Sequence, residues 1–136
     1  FGFSLLFNIH GPGGILCTIG GVACWVVFWL SQRLGFSEIL SYFWASLFAS
    51  LYSEIMARIR KYPAISYLLV SAFPLIPGAG VYYTMNFAVR GEMDMFAYRG
   101  MNTAAIAGIM AVGILLGSTV FRMYAQWKSR RMRKKT

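Results

Sequence analysis

The sequence predicts an all-α integral membrane protein. It reads as one transmembrane domain over residues 1–136, a bundle of four full transmembrane helices plus a truncated first helix, with one helix broken at P-L-I-P-G. Three observations predict this. Hydrophobic residues make up 58% of the 136 and charged residues only 12%, with a mean hydropathy of +0.59, more apolar surface than a soluble domain of this size can hide. Four apolar stretches, 14–31, 38–57, 64–89 and 100–125, reach the roughly 20 residues that a bilayer crossing needs. The basic residues sort by connection. If the tail 126–136 is cytoplasmic, the segment RIRKYP lies on the same side, and that side holds all of the 13 Lys and Arg residues except Arg33, Arg90 and Arg99.

Residues 1–9 are apolar but too short to span alone. The chain begins inside a hydrophobic run with no initiator Met and no signal-peptide pattern, so this piece is expected to be the end of a truncated span. A GPG turn follows, beside His10. Helix 14–31 carries a stripe of small residues, Gly14, Cys17, Gly21 and Cys24, that lets another backbone approach. Its two cysteines sit two turns apart on one face, too far for a disulfide and at neither a metal nor a redox spacing, so they read as packing residues.

After the connection SQRLGFS, helix 38–57 carries Ala45 and Ala49 and the row Ser46, Ser50, Ser53, Ala57. Glu54 lies in this segment one turn before Arg58. It reads either as an i,i+4 ion pair near the interface or as a carboxylate facing the bundle interior, where acids carry protons or bind substrate. The last span, 100–125, follows RGEMDMFAYR and holds Gly113-x-x-x-Gly117, with Ala104, Gly108 and Ala111 about a turn apart. Aromatic residues cluster near the span ends, Trp25, Trp29, Tyr42, Trp44, Tyr62, Tyr67, Tyr124 and Trp127, and most of them fit interfacial belts. The basic tail is accounted for by topology and attraction to anionic lipid, and no nucleic-acid recognition motif accompanies it.

The stretch 64–89 holds two prolines and two glycines within seven residues, Pro74, Pro77, Gly78 and Gly80. Pro74 cannot bond the carbonyl of Val70, nor Pro77 that of Phe73, and Pro77 suits the first position of a second half-helix. A discontinuous helix is expected, unwound over 73–78. The break frees carbonyls on one side and the N–H groups of Gly78, Ala79 and Gly80 on the other, and lipid satisfies neither. N–H groups at a helix start suit an anion such as a carboxylate. Tyr82, Tyr83, Thr84 and Asn86 follow as a polar group. Broken helices near the midplane are where many transporters bind substrate.

The segment SEIMARIRKYPAISYLLVSAFPLIPGAGVYYTMN (53–86) resembles the small subunit of the two-component threonine/serine exporter family. S-E-I-x-A-R, the following K-x-P and P-L-I-P-G-x-G-x-Y-Y-T-M are all present and in order. The rest of the chain agrees in length, hydropathy and basic tail, except that only 1–9 stands where the family has a complete first span. The resemblance implies a multi-pass protein of the bacterial inner membrane, with its C-terminus cytoplasmic, that exports threonine and serine with a larger membrane subunit. A higher oligomer is compatible with it. Some relatives are linked to dicarboxylate efflux.

On this reading Pro77 opens the second half-helix, and the N–H groups of Gly78, Ala79 and Gly80 take the substrate carboxylate. Tyr82, Tyr83, Thr84 or Asn86 bonds its ammonium or hydroxyl, and Glu54 takes the ammonium or a coupling proton. Two alternatives stand beside it. A dicarboxylate exporter would want a second, basic subsite, and 14–89 holds no basic residue central to a span. A non-transporting assembly subunit would use the small-residue faces alone. An enzyme is not expected, because the only His is His10 and no nucleophile–base pair is apparent. No cofactor or metal is expected, and no phosphate-binding glycine loop is present.

Overall fold

The computed structural model describes residues 2, 4, 12–61 and 63–133. The expected partial helix 1–9, apart from Gly2 and Ser4, lies outside the described residues, as do His10, Tyr62 and the last three residues. Among the described residues there is no strand. The helices are α1 (Pro12–Arg33), α2 (Glu38–Arg60), α3 (Ala64–Ala72), α4 (Gly78–Val89) and α5 (Met93–Arg133), with a 3-10 turn at Phe73–Leu75 between α3 and α4.

Local chemistry sets the ends. Gly35 turns the chain out of α1 at φ +86°, a conformation that favours glycine. Ser37 caps α2 by accepting the N–H of Leu40 at 3.4 Å, and Glu38 sits in the first turn, where the helix dipole favours a negative charge. α2 ends at Lys61 in the left-handed region, two residues before Pro63, which cannot continue a helix.

The helix α2 is the centre of the fold, packed by α1, α3 and α5. Its contacts fix the helix directions. Tyr52 Oη donates to the Leu16 carbonyl at 2.6 Å, and the Phe28 and Tyr42 rings lie 4.6 Å apart, so α1 runs antiparallel to α2. Gly113 meets Phe43, Ser46 and Leu47, Gly117 meets Ser50, and Arg122 reaches Glu54, so α5 runs parallel to α2. α3 runs beside α1, where Tyr67 and Val70 pack on Cys17. Tyr67 is therefore 2% exposed, inside the bundle.

The seam between α2 and α5 is built from small and hydroxyl residues. Ala45, Ala49, Ser46, Ser50 and Ser53 are buried. Ser46 and Ser53 return their hydroxyls to carbonyls of their own helix, and Ser50 Oγ crosses to the Ile114 carbonyl at 2.9 Å. Their polar atoms are satisfied and their small size lets two backbones touch. The row Ala104, Gly108, Ala111 makes no such seam. Ala104 and Ala111 are exposed and a side chain at Gly108 would meet nothing within 4 Å.

Two helices, Gly13–Arg33 and Met93–Trp127, are long and apolar enough to cross a membrane, and the pair Ala64–Leu75 and Gly78–Val89 joins them if taken as one span bent by 55°. α5 starts well before residue 100. RGEMDMFAYR is charged, yet its Met, Ala, Glu and Arg favour a helix, and Asp94 lies in the first turn. The far end of α5 continues as helix to Arg133.

Candidate functional site

The chain leaves helical geometry where its prolines remove N–H donors. Phe73 still donates to the Leu69 carbonyl, but Pro74 has nothing to give Val70. The 3-10 turn closes with Ile76 N–H on the Phe73 carbonyl at 3.2 Å, and Pro77 opens α4 without a side-chain cap. Pro74 packs over Gly21, near the middle of α1. The break therefore falls at mid-length of the bundle.

Of the three N–H groups expected to be free, one is engaged. Gly78 donates to the Ile76 carbonyl at 2.7 Å. Ala79 and Gly80 keep theirs at the uncapped start of α4. Gly78 and Ala79 are exposed, and a side chain at Gly78 would meet nothing within 4 Å. Gly80 is half-buried against α5, where a Cβ would lie 2.5 Å from Thr103 Oγ1. Thr84 spends its hydroxyl on the Gly80 carbonyl at 2.7 Å. Tyr82 and Tyr83 are exposed and stand edge to face, 5.5 Å apart, and Asn86 is half-buried. No residue of α4 is fully buried, because α4 packs chiefly on the first part of α5.

Glu54 stands apart from this group. It is 7% exposed and both its carboxylate oxygens are engaged. Arg58 Nη1 donates to Oε2 at 2.7 Å, and Arg122 Nε donates to Oε1 at 3.3 Å. Arg58 also bonds the Glu54 carbonyl and stacks over the Phe121 ring at 4.4 Å. The i,i+4 pair with Arg58 therefore exists, and the carboxylate is buried between α2 and α5. Gly80 meets α5 at Thr103 and Glu54 meets it at Arg122, about 28 Å apart at 1.5 Å per residue. Glu54 is not brought to the residues that follow the break.

On the other side of the break, α1 and α3 enclose an open, mostly apolar groove of about 440 Å³, lined by Cys17, Thr18, Gly21, Val22, Val70 and Pro74 among others. Behind it, Ser71 is fully buried, and its Oγ is the one buried side-chain polar atom with no partner among the described residues. Ser71 belongs to no motif. Its one signal in the sequence is its place, three residues before Pro74 at the closing end of a half-helix.

The geometry combines apolar helices with a proline-glycine break and an uncapped helix start at mid-length. It contains no group of three or more His, Cys, Asp or Glu residues placed to hold a metal ion among the described residues. No curated protein and no solved structure matches the chain. The sequence profile described as "Threonine/Serine exporter, ThrE" matches residues 1–120, nearly the whole chain and all of the break. With apolar helices of spanning length and a match of that extent, the chain belongs to the threonine/serine exporter family, whose members are membrane transport proteins.

Proposed function

We propose that this chain is one subunit of a secondary exporter that moves threonine and serine across the bacterial cytoplasmic membrane. In this reading it crosses four times, through α1, α2, the bent pair α3–α4, and α5, with its C-terminus in the cytoplasm. The alternating helix directions support that count. So does the placing of Arg58, Arg60 and Lys61 at the same end of the bundle as Arg122 and the C-terminal turns of α5.

The observation that carries the proposal is the open start of α4. Ala79 and Gly80 present N–H groups, with the positive end of the helix dipole behind them, and a carboxylate is their natural partner. Tyr82, Tyr83 and Asn86 follow within two turns and supply hydroxyl and amide groups for the rest of the substrate. Glu54 meets α5 at Arg122, too far from Thr103 to touch a substrate held at the start of α4. Its proposed role is coupling at the cytoplasmic end, where a proton or a substrate ammonium would compete with Arg58 and Arg122 for it.

The same exposure argues for a partner. Lipid offers no acceptor for the N–H groups of Ala79 and Gly80 and no donor for the Val70 carbonyl. A neighbouring subunit that closes over α4 and the first part of α5 would line an aqueous path there. The larger membrane subunit of the exporter fills that role in this proposal.

Gly78→Leu is the cleanest test, because a side chain at this position meets nothing within 4 Å. It should leave the amount of folded, membrane-inserted protein unchanged and reduce serine efflux from preloaded cells at least tenfold. Efflux at the normal rate would remove the carboxylate site from α4. Gly80→Leu is a poorer probe, since it also drives against Thr103.

A further inference from the structure

The geometry points to a second half of the substrate site: an acceptor subsite for the substrate's ammonium group at the closing end of α3, formed by the Val70 carbonyl and Ser71 Oγ against the Gly20–Gly21 face of α1. This inference rests on the exporter reading above and adds what holds the other charge of the amino acid.

Two independent observations meet there. Pro74 removes the helical donor of the Val70 carbonyl, and that oxygen lies 3.7 Å from where a Cβ on Gly21 would stand, so it points at α1 along the groove wall. One residue on, Ser71 is fully buried with an unpartnered hydroxyl. Its Oγ is the nearest atom to a Cβ built on Gly20, so it too is aimed at α1, just behind the groove lining. A buried hydroxyl left without a partner is destabilising, and a serine in a helix ordinarily bonds back to its own carbonyls, as Ser31, Ser46 and Ser53 do here.

Both atoms accept hydrogen bonds, and both sit at the end of α3 where the helix dipole is negative. A carboxylate would be repelled there, and an ammonium with three donors would be held. Gly21 leaves the groove wall without a side chain, and the groove is large enough for a small amino acid. The face of Gly20 is covered by Ser71 and Tyr52, so Ser71 Oγ meets a ligand only by turning toward the groove. The two sides of one break would then hold opposite charges of a zwitterion: ammonium at the end of α3 and carboxylate at the start of α4.

The test uses membrane vesicles from cells that produce the chain with the larger subunit, and measures counterflow of labelled serine. Two competitors separate the charges. Ethanolamine keeps the ammonium and hydroxyl but lacks the carboxylate, and glycerate keeps the carboxylate and hydroxyl but lacks the ammonium. Ser71→Ala should raise the half-inhibitory concentration of ethanolamine and the KM for serine about tenfold, and leave glycerate inhibition unchanged.

Pro74→Ala, which returns an N–H to the Val70 carbonyl, should produce the same ammonium-specific loss. Removing an unpartnered hydroxyl should not lower the thermal stability of the Ser71→Ala protein, so the loss cannot be assigned to unfolding. Equal shifts for both competitors, no shift for either, or ethanolamine that fails to compete even with the unmodified chain would overturn the subsite and leave the exporter reading standing. A changed sodium requirement with intact ethanolamine competition would assign the acceptors to an alkali cation and overturn the ammonium assignment. Absence of serine counterflow in the unmodified protein would overturn both.

Discussion

Gly113→Leu is expected to prevent the chain from accumulating in a folded form. The seam between α2 and α5 has no room for a side chain at this position. A Cβ there would lie 3.0 Å from the Phe43 carbonyl oxygen and 3.3 Å from the Leu47 nitrogen, and would collide with Ser46 Oγ. Two of these three atoms are backbone of the central helix and cannot rotate away. Gly117 is confined in the same way by Ser50 and the Leu47 carbonyl. The smallest change, Gly113→Ala, should already cost about 1–3 kcal/mol through forced separation of the helices. It should also loosen the bond from Ser50 Oγ to the Ile114 carbonyl. Thermal unfolding in detergent, read by loss of protease resistance, measures both variants. Gly108→Ala is the internal control and should be silent, because nothing lies within 4 Å of its Cβ position. Equal stability of Gly113→Ala and Gly108→Ala would mean that α2 and α5 do not meet along this face.

The second large effect is expected at Glu54. The carboxylate is the buried member of its cluster, with a side chain 9% exposed against 44% for Arg58 and 69% for Arg122. Removing both guanidinium groups, in Arg58→Met with Arg122→Met, leaves a buried charge with no partner and should cost about 3 kcal/mol of stability. Adding Glu54→Gln to that pair should recover most of the loss, since the uncompensated charge is then gone. The same unfolding measurement applied to the three proteins checks this. If Glu54→Gln fails to restore stability in the double variant, the arginines matter for their packing, as Arg58 does on Phe121, and not for their charge.

The sequence announced some of these features and hid others, for identifiable reasons. The break at 73–77 was legible because proline and glycine act on their own backbone, with no partner needed. Gly113-x-x-x-Gly117 was legible as a smooth face, but nothing local named Ser46 and Ser50 as what it touches. Arg122 is 68 residues from Glu54, and only the parallel run of α2 and α5 brings them together. The early start of α5 was masked because charges at 90–99 lower hydropathy without lowering helix propensity. Among the candidate site residues, Gly78, Ala79, Gly80, Tyr82, Tyr83 and Asn86 lie on one short helix, so their neighbourhood follows from the chain itself. Glu54 was grouped with them by residue chemistry alone, and the distance along α5 separates it. Ser71 has no motif, and it stands out only through burial without a partner.

The central claim is that threonine and serine leave the cell through a path that includes the broken helix. Its most direct test is efflux of labelled serine, threonine and succinate from preloaded cells producing this chain and the larger subunit, singly and together, with Gly78→Leu alongside. The account predicts efflux of serine and threonine only when both chains are present, and its loss in the variant at unchanged protein level. Succinate efflux without serine or threonine, or no efflux of any of the three from an assembled complex, would contradict it.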